Sequence, residues 1–258
     1  MSLLKIKPGM SKQTQQLKDN RDRARNLLIS FYILLGFTIT GIILSLYERN
    51  AYYLSDIDQS FYFEESDETF DFFIVAQSIA QFIIGIVTIV FFLMWFRRAY
   101  GNLRRLGIVK LRYGDVHTIW SFIVPILNLF RPYQIAKEIY IKTQKSINFY
   151  KPLYIPKTEI AFIFAWWMAF LTHTIYGRYT FRKSLRAVTF EDYRELNEIY
   201  IISDSIDCFA ILITVLFIYK MHAGEKNLQL SYNSTKDIET LGQFRTDDID
   251  ANNDPEVS

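Results

Sequence analysis

The sequence predicts an all-α integral membrane protein with four transmembrane helices, a re-entrant or interfacial segment, and an amphipathic cytoplasmic helix. Three observations predict it. Half of the 258 residues are apolar, and they gather into blocks rather than spreading evenly. Four blocks are long enough to cross a bilayer, since about 20 apolar residues at about 1.5 Å each match a hydrocarbon core of about 30 Å. A fifth block is too short and carries a proline near its middle.

The first block, residues 27–47, has 21 residues and no charge. Its glycines, Gly36 and Gly41, do not have GxxxG spacing and read as sites of close helix packing. The second block, 72–96, has 25 residues, with Gln77 and Gln81 as its strongly polar members. These glutamines are four apart and share a helix face. Interhelical hydrogen bonding is their first reading and a transport path the second. The third block, 160–177, contains Trp166, Trp167 and His173. The fourth, 199–219, contains Asp204, Asp207 and the single cysteine, Cys208, so no intrachain disulfide can form. The polar residues 1–26 precede the first block, and no small-residue cleavage site follows it, which reads as a retained helix rather than a signal peptide.

Residues 116–130, with Pro125, form the short fifth block and read as non-spanning. Residues 131–145 place Ile135, Ile139 and Tyr140 on one face and Lys137, Lys142 and Lys145 on the other. This is an amphipathic helix, lying on the membrane surface or packing on the bundle. The expected organisation is a basic cytoplasmic N-terminal segment (1–26), a four-helix membrane domain (27–220) and an acidic, disordered cytoplasmic tail (221–258). The tail carries eight acidic residues and little apolar surface.

Lys and Arg set orientation. Seven precede the first block, one lies in residues 48–71 beside eight acids, and twelve lie in residues 97–159. This pattern puts both termini in the cytoplasm of a multi-pass protein, with the acidic first loop outside. The five basic residues of the third loop, among them Lys183, run against it. Letting residues 116–130 span instead would put six basic residues of 131–157 outside, which is worse.

Two stretches resemble a known family. One is Phe92-Leu93-Met94-Trp95-Phe96-Arg97-Arg98-Ala99-Tyr100-Gly101-Asn102-Leu103. The other is Trp120-Ser121-Phe122-Ile123-Val124-Pro125-Ile126-Leu127-Asn128-Leu129-Phe130-Arg131-Pro132-Tyr133. Together they are similar to the bacterial membrane family called domain of unknown function 4328. Its motif positions fall on Trp95, Arg97, Asn102, Trp120, Pro125, Asn128 and Pro132, and the pair Trp166-Trp167 fits its next helix. The resemblance implies a small helical domain of the bacterial cytoplasmic (inner) membrane and no particular reaction.

Two constellations are candidates for function. His173, Asp204 and Asp207 fall at similar depth in the outer half of the bundle, where they could bind a cation or relay a proton. Alternatively, the two aspartates sit at the interface, capped by Ser203 or paired with loop arginines. A basic cluster of Arg97, Arg98, Arg104, Arg105 and Arg131 suits anionic lipid headgroups or a phosphate. Asn102 and Asn128 read as ties for backbone broken near Pro125 and Pro132. No Walker loop, GxSxG, HExxH or CxxC motif occurs, so no cofactor, metal or catalytic residue is expected. Nucleic acid is disfavoured because the basic residues flank membrane blocks. Three classes remain. The first is a scaffold or regulatory protein acting through lipids, a protein partner or a second copy of the chain. The second is a small transporter or channel using the Asp/His cluster. The third is a lipid enzyme, which would need a groove leading to Glu138 and the arginines.

Overall fold

The computed structural model describes residues 16–57, 68–108, 111–157 and 159–251, and its elements are all helices. They are α1 (Arg21–Ile57), α2 (Glu68–Arg105), α3 (Asp115–Ile123), α4 (Pro125–Asn128), α5 (Arg131–Tyr150), α6 (Ile160–Ser184) and α7 (Phe190–Ala251). Lys5, Lys7 and Lys12, residues 58–67 of the first loop, and Asp254 lie outside the described residues. Four stretches are long and apolar enough to cross a membrane: Arg21–Tyr53, Phe72–Arg105, Ile160–Ser184 and Phe190–Ile238. The four expected blocks each fall inside one of them.

The short fifth block is broken, as its proline requires. Pro125 disfavours helical backbone at the residue before it. Val124 is accordingly extended, at φ −78° and ψ 119°, and separates α3 from α4. Pro125 and Pro132 both stand in the first turn of a helix, where a missing N–H costs nothing. Neither α3, with nine residues, nor α4, with four, is long enough to span.

α2 ends at a turn in which Leu106 N–H donates to the Asn102 carbonyl (3.1 Å). Gly107 follows with φ 75°, a conformation that suits glycine. α7 starts with a capping box. Asp192 N–H donates to Thr189 Oγ1 (3.2 Å), and Thr189 N–H donates back to Asp192 Oδ2 (2.9 Å).

α5 is amphipathic, and it packs on the bundle. Ile135, Ala136, Ile139, Tyr140, Thr143 and Ile147 are buried against α7, α6 and α2. The lysines Lys137, Lys142 and Lys145 remain on its outer side.

The expectation of an unpacked tail from residue 221 is corrected. α7 continues without a break from the membrane block to Ala251. Met221, Leu228 and Tyr232 are buried, and Tyr232 packs edge-on against Tyr150 of α5. Their seven- and four-residue spacing puts them on one helix face. Low overall apolar content hid that narrow stripe, which needs α5 beside it to be buried.

The long helices pack in the order α2, α1, α7, α6. The hydrophobic core gathers at the end where α5 lies, around Trp95, Phe96, Tyr100, Ile139, Trp166 and Phe217. Trp166 stacks on Phe217 with ring centroids 4.0 Å apart and planes 5° off parallel. Beyond Phe92 and Trp166, whose rings also stack at 6.2 Å, α2 and α6 face each other across a cleft.

Candidate ligand cleft

Gln77, Asp204 and His173 enter the cleft at matching depth, level with Gly41 of α1. Gln77 stands about 8 Å along α2 from the start of its apolar block, and Asp204 about 8 Å along α7 from the start of its own. Gly41 and His173 come within about 9 Å of the same end on α1 and α6. The four helices therefore place these groups at one level of the apolar layer, well inside its end.

The cleft has a volume of about 910 Å³. Its floor is aromatic. Phe122 of α3 packs edge-on against Phe92 (5.5 Å between centroids) and Phe170 (6.2 Å), and Trp166 stands beside them. Its opposite end is polar, where Asn197 Nδ2 donates to Glu48 Oε2 at 2.6 Å. Three carboxylates line it, from Glu48, Asp204 and Asp207, with His173 as the single basic residue among the described lining residues.

His173 and Asp207 are paired, Nδ1 to Oδ1, at 2.5 Å. The pair is not sealed, because the His173 side chain is 45% exposed and that of Asp207 23%. Asp204 is close by in sequence but does not join the pair. Among the described residues it makes no hydrogen bond and no ion pair. Its Oδ2 points at α1, where a Cβ on Gly41 would lie 2.9 Å away. Gln77 and Gln81 approach the same point, at 3.6 and 3.7 Å. Gln77 Nε2 donates to the Phe37 carbonyl (2.7 Å) and to Gln81 Oε1 (3.2 Å), which is the interhelical bonding that their shared face suggested.

Asp204 lies fourteen residues past the start of α7 at Phe190, so it stands inside a helix rather than at its end. A charged side chain at mid-bilayer costs about 3 kcal/mol or more and less toward the interface. Such groups pair or face a cavity, and Asp204 faces a cavity. No three His, Cys, Asp or Glu residues are arranged to hold a metal ion among the described residues. The cluster is therefore a pair, His173 with Asp207, beside a separate carboxylate.

The basic constellation lies at the opposite end, and two of its arginines bind backbone. Arg98 donates to the Asp19 carbonyl (3.0 Å), Arg104 to that of Tyr113 (3.2 Å) and Arg105 to Asn102 Oδ1 (3.4 Å). Arg131 stands over the Tyr113 ring, and Arg97 is exposed. Asn102 does clamp backbone, but at the N-terminal segment rather than near the prolines. It accepts from Lys18 N–H (3.1 Å) and donates to the Lys18 carbonyl (2.9 Å). Asn20 beside it donates to the Trp95 carbonyl (3.2 Å) and to Glu225 (3.0 Å), tying α1, α2 and α7 together. Asn128 Oδ1 is buried without a partner among the described residues. Of the remaining motif positions, Trp95 is buried at the core and Trp120 is exposed.

Glu138 is committed to structure. It accepts from Tyr100 Oη (3.0 Å) and from Arg112 N–H (3.1 Å), which fastens the turn after α2.

Sequence reading missed Gly41, Glu48, Asn197 and Phe122 as cleft residues. Glu48 lies just past an apolar block and reads as loop, whereas α1 continues to Ile57. Phe122 carried a signal only as part of the family motif.

Four apolar helices around a mostly apolar cleft that holds a few polar groups define a helical membrane protein. The sequence profile of the family described as Domain of unknown function (DUF4328) matches residues 64–223, and the chain belongs to that family. No curated protein and no solved structure matches it.

Proposed function

We propose that this chain is a multi-pass membrane protein of the transporter or channel class, which takes a small ligand into the cleft between α1, α2, α6 and α7. The observation that carries this reading is the carboxylate of Asp204, unpartnered among the described residues, in the wall of a cavity of about 910 Å³. A lipid-packed structural bundle has no use for such a group, since it would gain stability from an apolar side chain there. The aromatic floor at Phe92, Phe122, Trp166 and Phe170 closes the cleft toward α5, as in a carrier with one gate shut.

The Lys and Arg distribution supports placement in a bacterial inner membrane with both termini in the cytoplasm. The cleft then opens outward. In that orientation Arg97, Arg98, Arg104, Arg105 and Arg131 lie at the level of inner-leaflet headgroups, and anionic lipids are their proposed partners. A second reading, a scaffold acting through a protein partner or another copy of the chain, has support in the surface that α5 and the extension of α7 build at that end.

Solvent access tests the first reading. In a Cys208→Ser background, single cysteines at Ser45 and Gln81 line the cleft, and one at Ile83 faces outward from α2. A charged, membrane-impermeant thiol reagent is expected to label the first two in vesicles and to spare the third. Protection of all three would show a dry bundle and overturn the reading.

A further inference from the structure

Building on the cleft reading above, we infer that the occupant of the cleft is a lipophilic organic cation, its positive centre at Asp204 and its apolar body on the aromatic floor. The charge of the lining supports the sign. Three carboxylates face the cleft, and no Lys or Arg does among the described residues. Protonation of His173 would still leave negative charge in excess. Low-dielectric walls strengthen the attraction for a cation and the rejection of an anion.

A positive centre also answers the unneutralised groups of the wall. Asp204 has no partner among the described residues, and an ionised carboxylate beside low-dielectric walls attracts a positive centre whether or not that centre donates a hydrogen bond. Asn197 is 3% exposed and lines the cleft, yet its Oδ1 has no hydrogen-bond partner among the described residues. Such an oxygen is the negative end of an amide dipole, and it favours positive charge nearby. These two acceptors belong to different turns of α7, so they mark a path along one wall.

The rest of the lining argues for an organic body. Ligand pockets for drug-sized molecules run from about 300 to 1,000 Å³ and are mostly apolar with a few placed polar groups. This cleft, at about 910 Å³, is of that kind. An inorganic ion would want three or more donors around it, and the described carboxylates and histidine are not arranged that way. Phe122 and Phe170, which are only partly buried, offer ring surface to a cation. Phe82, Ile86 and Ile89 of α2 line the cleft and are exposed. The wall thus presents accessible apolar surface to the body of an amphiphile.

Equilibrium binding of radiolabelled tetraphenylphosphonium to the full-length protein in lipid nanodiscs tests this. Tetraphenylborate, of matching size and opposite charge, serves as the comparison. The expected result is saturable binding of the phosphonium, no saturable binding of the borate, and phosphonium affinity weakened by roughly tenfold or more in Asp204→Asn. Asp22→Asn, an exposed change outside the cleft, should bind as the native chain does. Gel filtration and thermal unfolding confirm that each variant is folded. Should Asp204→Asn not fold, the contrast between phosphonium and borate on the native chain decides alone. Equal binding of both ions, or a folded Asp204→Asn with unchanged affinity, overturns the inference. A cleft that labels with thiol reagent but binds no phosphonium overturns the ligand class and leaves the cleft reading standing.

Discussion

Gly41 of α1 and Asp204 of α7 compete for one position in the bundle: a Cβ on residue 41 would stand 2.9 Å from Asp204 Oδ2. Glycine here is a matter of space rather than of backbone angle. It lets a carboxylate occupy the seam between two helices, beside Gln77 and Gln81 of a third.

Substitution at Gly41 should therefore move the carboxylate before it harms the fold. Gly41→Ala is expected to keep the thermal midpoint within a few degrees while weakening phosphonium binding, because the obstacle is the end of a side chain that can swing. Gly36→Ala meets nothing within 4 Å. It should be neutral or stabilising by about 0.5–1 kcal/mol, since alanine is the better helix former. Identical behaviour of the two variants in both assays would contradict the Gly41–Asp204 contact.

The His173–Asp207 pair should show a measurable but modest coupling. Their 2.5 Å contact is partly exposed, at 45% and 23% of the side chains, so screening reduces its worth. A double-mutant cycle of His173→Ala and Asp207→Asn, read by denaturation in mild detergent, should give about 0.5–2 kcal/mol. Strict additivity would show that the contact contributes nothing.

Phe122 should act as part of a gate. It closes the floor of the cleft from α3, against Phe92 and Phe170. Phe122→Ala, in a Cys208→Ser background, is expected to let impermeant thiol reagent reach a cysteine at Gln81 from both faces of the membrane. Labelling from one face alone, as with Phe122 in place, would show that the floor is sealed by other groups.

Loss of the Asn102 clamp should free the chain before α1. Asn102→Leu removes both bonds to Lys18 and is expected to cost about 1–3 kcal/mol. Trypsin should then cut faster at Lys18 and Arg21. Unchanged cleavage would mean that Asn20 and Arg98 hold the segment without it.

Orientation has a direct test. With Cys208→Ser as background, Lys226→Cys should label from the cytoplasmic face and Lys183→Cys from the outside. Finding Lys183→Cys cytoplasmic would invert α7 and put the mouth of the cleft on the other side.

Much of this architecture was legible in residue order. Block length alone determined the four long helices, because a helix closes its hydrogen bonds internally and its length in residues converts directly to ångströms. Pro125 determined that residues 116–130 break, because the residue before a proline is turned out of the helical region. Depth counting even placed His173 level with the two aspartates. These are local quantities, and a sequence states local quantities completely.

The tertiary structure decided which groups meet. Sequence spacing put Asp204 and Asp207 on one face, yet only Asp207 reaches His173, while Asp204 turns to Gly41 on a helix more than 150 residues earlier in the chain. Asn102 did prove to be a backbone clamp, but its partner is Lys18 rather than the proline region. The stripe of Met221, Leu228 and Tyr232 reads as surface until α5 lies beside it. The physical reason is the same in each case. Helix rotation and crossing are set by the packing of all the helices together, and one carboxylate's partner, or its lack of one, is a consequence of that packing.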